Sequence, residues 1–246
     1  MLWKTWKAFL FANLIFFLSG LSGTTPSSAT QPPQDWSWQN PLPQGNSLQA
    51  VHFVNATTGT AVGDLGTILR TTDGGISWVI QTSGTTNNLF GVSFTDDTTG
   101  TAVGDLGTIL RTTDGGSSWV SQTSRTIRSL RGVSFTDDTT GTAVGDLGTI
   151  VRTTDGGTNW VNQTSTTMSA LRGVSFTDDT TGTAVGDFGM ILRTTDGGTS
   201  WVSQPSGTIS ALRGVSFTDD TTGTAVGDLG TILRTTDGGT SWVSQP

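Results

Sequence analysis

The feature that most constrains the fold is the string Thr-Thr-Asp-Gly-Gly-x-x-Trp, which recurs every 41 residues. It occupies residues 71–78, 112–119, 153–160, 194–201 and 235–242. Self-similarity at a fixed period of this length is typical of repeat architectures, in which each unit packs only on its neighbours. The fold must therefore follow from one small unit written five times.

Each unit contains four short strand-forming runs separated by turn residues. In the third unit, strands A, B, C and D are predicted at 130–135, 142–145, 149–153 and 159–163. Four strands in 41 residues match the blade of a β-propeller, which is about 40–45 residues long. The sequence predicts an all-β propeller of four-stranded antiparallel blades; a β-solenoid, which usually has shorter coils, is the second possibility.

The repeats run 47–87, 88–128, 129–169, 170–210 and a shortened 211–246, which predicts five blades over residues 47–246. A closed five-bladed ring is the favoured arrangement, and an open arc completed by another chain is the alternative. Residues 30–46 are predicted to be a linker with an extra outer strand, because Trp36-Ser37-Trp38-Gln39 resembles a strand D.

Residues 1–29 resemble a secretory signal peptide. Lys4 and Lys7 precede an apolar run at 8–18, and a stretch of small residues ends at Ala29. The apolar run is short for a bilayer, which needs about 20 residues. We therefore expect an exported protein with no membrane span after cleavage; an uncleaved N-terminal anchor is the alternative.

The composition excludes several classes of function. Beyond the leader the chain has 10 Arg, 19 Asp and no Lys or Glu, a net charge of −9, which disfavours binding to nucleic acid or anionic membranes. No Cys is present, and the only histidine, His52, stands where the other repeats have Ser, which indicates a structural position. Adjacent aspartates in the A–B turns suggest solvated Asx turns, with weak calcium binding as the alternative. No cofactor or metal motif is found.

The recurring string resembles the Asp-box of sialidase-type (BNR) repeats. The longer string at 143–157, Ala-Val-Gly-Asp-Leu-Gly-Thr-Ile-Val-Arg-Thr-Thr-Asp-Gly-Gly, is similar to the photosystem II stability/assembly factor family. That resemblance implies a non-enzymatic propeller of the thylakoid lumen or periplasm that binds a newly made reaction-centre subunit; outside a cyanobacterium, a periplasmic or extracellular location is expected. A sialidase is excluded because the chain has no Tyr nucleophile and no Glu.

The Asp-box itself is interpreted as a structural device, a turn that aims a Trp into the stack of blades. The residues assigned this role are Asp73, Trp78, Asp114, Trp119, Asp155, Trp160, Asp196, Trp201, Asp237 and Trp242. An arginine that ends strand C in every repeat is expected to form a structural salt bridge or a contact at the blade edge; these are Arg70, Arg111, Arg152, Arg193 and Arg234.

Alternating strands place the B–C turns and the D–A connections on one face of the propeller. Only the D–A connections vary substantially among the repeats, and half of the arginines gather beside them: Arg125, Arg128, Arg131, Arg172 and Arg213. We hypothesise that this face binds a protein or peptide with acidic groups. Alternatively, these arginines pair with the B–C aspartates and merely hold the loops. A carbohydrate-binding or surface role for an Asp-box propeller is the competing function.

Overall fold

The computed structural model describes residues 45–246. The predicted signal peptide and nearly all of the predicted linker with its extra strand lie outside the described residues. Within them the chain forms five four-stranded sheets, each with its strands in sequential order and antiparallel. This confirms the predicted all-β propeller architecture with five blades. No helix in the described part is long and apolar enough to cross a membrane.

The strand bounds repeat from blade to blade. Blade 1 contains β1 (Leu48–Phe53), β2 (Gly59–Gly63), β3 (Ile68–Thr71) and β4 (Val79–Gln81). Blade 2 contains β5 (Leu89–Phe94), β6 (Gly100–Gly104), β7 (Ile109–Thr112) and β8 (Val120–Gln122). Blade 3 contains β9 (Leu130–Phe135), β10 (Gly141–Gly145), β11 (Ile150–Thr153) and β12 (Val161–Asn162). Blade 4 contains β13 (Leu171–Phe176), β14 (Gly182–Gly186), β15 (Ile191–Thr194) and β16 (Val202–Gln204). Blade 5 contains β17 (Leu212–Phe217), β18 (Gly223–Gly227), β19 (Ile232–Thr235) and β20 (Val243–Ser244).

A tight turn links the second and third strands of every blade, and the two residues that follow its Asp both have positive φ, as Leu65 at 55° and Gly66 at 70° do in blade 1. These turns are Asp64–Gly66, Asp105–Gly107, Asp146–Gly148, Asp187–Gly189 and Asp228–Gly230. The outer strand is only two or three residues long. In the third repeat it is Val161–Asn162, shorter than the predicted run 159–163, because Asn159 belongs to the Asp-box turn and Trp160 lies between that turn and the strand.

The core lies between blades and not within them. At the first interface, Val62 and Ile68 of blade 1 pack against a surface of blade 2 made by Leu89, Val92, Phe94, Ala102, Leu110 and Trp119. The next three interfaces repeat this set of residues. Each blade therefore has two different apolar faces, a trailing Val/Ile face and a leading Leu/Val/Phe/Trp face.

The Asp-box turn fixes the position of the Trp. In blade 3, Thr153 Oγ1 and the Asn159 backbone N–H both donate to Asp155 Oδ1, at 2.9 Å each. Gly156 and Gly157 have φ values of 69° and 86°, which a residue with a side chain rarely adopts. Trp160 then packs edge-on against Phe135 of its own blade, with ring centroids 6.0 Å apart.

The arginine at the end of strand C reaches the following blade. The Arg111 guanidinium lies 5.1 Å from the centre of the Phe135 ring, and Nη2 donates to the backbone carbonyl of Asp138 at 2.5 Å. Arg70 and Arg152 make the same pair of contacts with blades 2 and 4. For these three arginines, the contact is thus the one at the blade edge, with a backbone carbonyl as acceptor. Arg193 instead donates from Nε to the carbonyl of Gly238 in blade 5, and Arg234 is exposed.

The ring is open within the described residues, contrary to the favoured closed arrangement. Inner strands of successive blades pack together, β1 on β5, β5 on β9, β9 on β13 and β13 on β17, but β17 and β1 make no comparable contact. Every interface repeats the same packing step, and five blades related by that step do not bring the last blade back to the first.

Candidate functional site

The turns segregate into two groups, as the alternation of strands predicted. The Asp105 N–H donates to the carbonyl of Asn88, which joins a B–C turn to the end of the D–A connection. On the other side, the Gly115 N–H donates to the carbonyl of Thr98, which joins an Asp-box turn to an A–B turn. We call the first side, carrying the B–C turns and the D–A connections, the ladder face.

Three arginine–aspartate pairs lie in a row on the ladder face, one in each of blades 3, 4 and 5. Arg131 donates from Nε and Nη2 to the two carboxylate oxygens of Asp146 at 3.0 and 2.9 Å. Arg172 pairs in the same way with Asp187, and Arg213 with Asp228. A longer ion pair of 3.9 Å between Arg213 and Asp187 connects blades 4 and 5. The contact expected under the alternative reading is therefore present.

A β-bulge places each of these arginines. The pairing of the first two strands skips one residue in every blade, and the skipped residue in blades 3, 4 and 5 is Arg131, Arg172 or Arg213. Bulges re-aim a side chain and are frequent beside functional sites. In blades 1 and 2 the bulged residues are Gln49 and Phe90, and Arg131 stacks on the Phe90 ring at 4.3 Å from its centre.

Pairing stabilises the charged forms. The hydrogen bonds from Arg172 lower the pKa of the Asp187 carboxyl, and those from Arg213 lower the pKa of Asp228. The same bonds raise the pKa of Arg172 and Arg213. Between 25 and 49% of the arginine side-chain surface remains accessible, so the guanidiniums can still meet a ligand.

Arg125 and Arg128 differ from the other three. Both are exposed, and neither forms an ion pair with any residue of the described part. Arg125 has a φ of 59°, in the left-handed region that its counterparts Gly84 and Gly207 occupy without strain. A side chain in that region costs about 1 kcal/mol or more, and such strain often marks a functional position.

Exposed apolar side chains accompany the arginines, and the sequence analysis missed them. Each B–C turn presents a large apolar residue at φ 55–60°: Leu65, Leu106, Leu147, Phe188 and Leu229. The D–A connections add Ile127, Met168 and Ile209, and all eight side chains are exposed. The available signal was an apolar residue inside Gly-Asp-x-Gly, a turn that needs none for folding.

The two kinds of side chain meet in a surface cleft of about 560 Å³ at the junction of blades 3 and 4. Its lining includes Ile127, Arg128, Arg131, Met168, Arg172 and Phe188. Arg125 lines the adjacent cleft together with Ile127 and Arg128. Four of the five predicted binding arginines thus lie at two neighbouring clefts, and Arg213 lies one blade further along the ladder.

The opposite face uses its carboxylates internally. Asp96 accepts hydrogen bonds from the backbone N–H groups of Thr98 and Thr99, which closes an Asx turn. In three of the four pairs the second aspartate bridges to the preceding blade: Asn55 donates to Asp97, Thr95 to Asp138 and Thr136 to Asp179. These contacts agree with the interpretation of the Asp pairs as Asx turns.

The family comparison falls on the two blades that frame the cleft. The model of the family "Photosynthesis system II assembly factor YCF48" matches residues 125–208, which comprise blades 3 and 4 with the connection before them. The chain resembles a photosystem II assembly factor. The match to the family model thereby confirms the resemblance that the repeated string predicted. No protein of curated function matches the chain in sequence.

Solved structures confirm the propeller fold. "YCF48 bound to D1 peptide" is 22% identical, with a TM-score of 0.60 and 82% of each chain covered. The GH74 enzyme of Niastella koreensis is 15% identical, with a TM-score of 0.62, over 80% of this chain and 38% of that one. An ancestral GH74 enzyme is 17% identical, with a TM-score of 0.65, over 82% and 31%. At these identities the similarity concerns the fold alone.

Proposed function

We propose that this chain is a non-enzymatic, exported scaffold that binds a segment of a photosystem II reaction-centre subunit on the ladder face. The observation that carries the proposal is the cleft between blades 3 and 4, where guanidiniums and exposed apolar side chains converge inside the segment that matches the family model. A peptide complex of a structurally similar protein, YCF48 with a D1 peptide, supports the choice of partner.

The chemistry of the cleft favours a peptide with a carboxylate beside apolar residues. Arg128 lacks an ion pair within the described part, so its guanidinium can bind a carboxylate of the peptide without first breaking an existing ion pair. Arg131 and Arg172 are already paired, and they contribute a fixed array of donors with part of their surface exposed. Ile127, Met168 and Phe188 supply apolar area that a peptide side chain can cover.

The same geometry disfavours the carbohydrate alternative. A sugar-binding propeller would use exposed aromatic rings in equivalent pockets, but Trp119, Trp160, Trp201 and Trp242 are buried between blades, and the exposed ring of Phe188 is replaced by Leu in the other repeats. Glycoside hydrolysis needs two carboxyl groups across a cleft, one of them able to donate a proton. The ladder aspartates are each held by an arginine, and the hydrogen bonds from Arg172 and Arg213 lower the pKa of Asp187 and Asp228, which favours their ionised form.

Export and location remain part of the proposal. The basic, apolar and small-residue regions of residues 1–29 support secretion. With the family resemblance, they favour the thylakoid lumen or the periplasm of a photosynthetic cell.

A binding experiment with fluorescently labelled peptides from the lumenal segments of D1 tests the proposal. We expect the wild type to bind at least one peptide and a variant with Arg131, Arg172 and Arg213 changed to Ala to bind it about tenfold or more weakly, because hydrogen bonds to charged groups contribute about 1.5–3 kcal/mol each. Fluorescence anisotropy measures both affinities.

A second variant keeps the test decisive if the triple substitution disturbs the fold. Arg125→Ala with Arg128→Ala removes two exposed side chains that hold no described ion pair, so circular dichroism should be unchanged while affinity falls. Arg234→Ala, an exposed arginine of blade 5 away from the ladder, is the control and should bind normally. Undiminished binding by both folded ladder variants, or no binding by the wild type, contradicts the proposal.

A further inference from the structure

The open ring leaves the leading face of blade 1 uncovered. Val51 and Phe53 are 60% and 43% exposed, whereas their counterparts Val92 and Phe94 in blade 2 are 8% and 6% exposed. Leu48 is likewise exposed, and its counterpart Leu89 is fully buried. The residue types match the interior blades, so the exposure results from the missing neighbour and not from a change in sequence.

The trailing face of blade 5 is uncovered in the same way. Val226 and Ile232 are 47% and 40% exposed, and their counterparts Val185 and Ile191 in blade 4 have no exposed surface. Arg234 is also exposed, whereas Arg111 at the same position in blade 2 is buried against the next blade.

These two faces are the two halves of the interface that the chain already forms four times. A blade that packed on blade 5 would have to present a Leu, a Val, a Phe and a Trp, and blade 1 presents these residues as Leu48, Val51, Phe53 and Trp78.

Polar positions of the two faces match as well. Arg234 corresponds to Arg111, whose guanidinium lies over Phe135, and Phe53 is the blade 1 counterpart of Phe135. Gln245 corresponds to Gln122, which accepts a hydrogen bond from the Trp160 indole.

We propose that a second copy of this chain covers these faces, with blade 5 of one copy packing head to tail on blade 1 of the next. The occupant is a second copy because the matching face already exists in this sequence, residue for residue, and because within the described residues the two faces of one copy do not pack on each other as successive blades do. Such an interface joins two different surfaces, so it continues to a larger ring or to an open chain of molecules.

Two substitutions, one on each face, test this proposal. Val51→Asp places a charge on the leading face of blade 1, and Val226→Asp places one on the trailing face of blade 5. A carboxylate is strongly disfavoured in an apolar interface. Both positions are exposed in a single copy, so each variant should fold normally by circular dichroism.

Sedimentation of the full chain measures the mass of the assemblies, at about 0.15 M salt to screen the net charge of the protein. The proposal predicts a different mass for each sample. The mass of the wild type should increase beyond that of one chain as the protein concentration rises, and each variant alone should keep the mass of one chain. An equimolar mixture should give a 1:1 dimer that grows no further, because the intact blade 5 face of Val51→Asp pairs with the intact blade 1 face of Val226→Asp. Two identical faces meeting each other cannot give this pattern.

Val79→Asp is the matched control. Val79 is 65% exposed on an outer strand, and its counterparts are exposed in every blade, so interfaces between blades do not cover this position. This variant should associate like wild type. Three results overturn the proposal: a wild type that stays at one chain at all concentrations, single variants that still associate, as they would through residues 1–44, or a mixture that does not form the dimer.

Discussion

One aspartate in each Asp-box is held by the turn that it organises. Asp114 accepts hydrogen bonds from Thr112 Oγ1, from the Ser118 N–H and from Ser118 Oγ, at 2.6–2.9 Å. These bonds favour the ionised carboxylate, and the hydrogen bonds from Ser118 are the largest cause that lowers the pKa of Asp114 to about 2. The corresponding bonds lower the pKa of Asp73, Asp196 and Asp237 to about 2 as well.

We predict that acid destabilises the protein between about pH 4 and pH 2. A carboxyl group whose pKa is lower in the folded chain contributes its full stability above its unfolded pKa, near 4, and loses that contribution as the pH falls through the folded value. The contribution of the Asp-box carboxylates to the midpoint of urea unfolding should therefore be constant from neutral pH to about 4 and then decrease.

The variant Asp114→Asn isolates the contribution of one turn. It removes one titrating group, so its midpoint should be lower at neutral pH and should change less with acid than that of wild type. Parallel pH profiles for the two proteins would show that the turn does not depend on the carboxylate.

Sequence alone located the ladder arginines but could not decide their partners. The variable D–A connections drew attention to Arg131, Arg172 and Arg213. Whether each reaches the B–C aspartate depends on the bulge, which shifts a side chain without leaving a signature in the sequence. The left-handed Leu106 could not be foreseen either, because apolar side chains rarely adopt that conformation.

At the scale of the blade, position in the stack matters more than sequence. The turn residues and β-branched runs predict the strands well, and the first strand of the third repeat, Leu130–Phe135, is found at its predicted bounds. The Trp of the Asp-box is identical in all blades, but Trp160 is fully buried and Trp78 only half-buried, because no blade of the described part precedes blade 1.

We predict that equivalent Trp substitutions have unequal effects. Trp160→Ala should reduce the unfolding free energy by about 3–5 kcal/mol, the usual cost of truncating a buried aromatic residue. Trp160 also donates from its indole to Gln122 of the preceding blade at 3.1 Å, and that bond is lost. Trp78→Ala should cost clearly less, since the indole is already partly in water. Urea unfolding of both variants at low protein concentration measures the difference, and equal losses would contradict the dependence on stacking.

The open end of the molecule could not be predicted from the repeat. Counting 41-residue units gives five blades, but closure depends on the angle between successive blades. That angle is set by how Val62 and Ile68 seat against Leu89 and Phe94, and a small change at each of four interfaces decides whether the ends meet. No single residue encodes it. Among the described blades, an end blade therefore has one neighbour and an interior blade has two.

Local unfolding should therefore begin at the ends of the stack. Opening blade 1 breaks one interface between blades, whereas opening blade 3 breaks two, so amides of β1 and β2 should exchange with deuterium faster than those of β9–β11. Mass spectrometry can separate these regions despite the repeats, because His52 marks blade 1 and Val151 with Asn159 marks blade 3. Raising the protein concentration should slow exchange in blade 1 and leave blade 3 unchanged if a second copy covers the leading face, and Val226→Asp should abolish that dependence. Equal exchange in the two blades at low concentration would show that the repeats unfold as one cooperative unit.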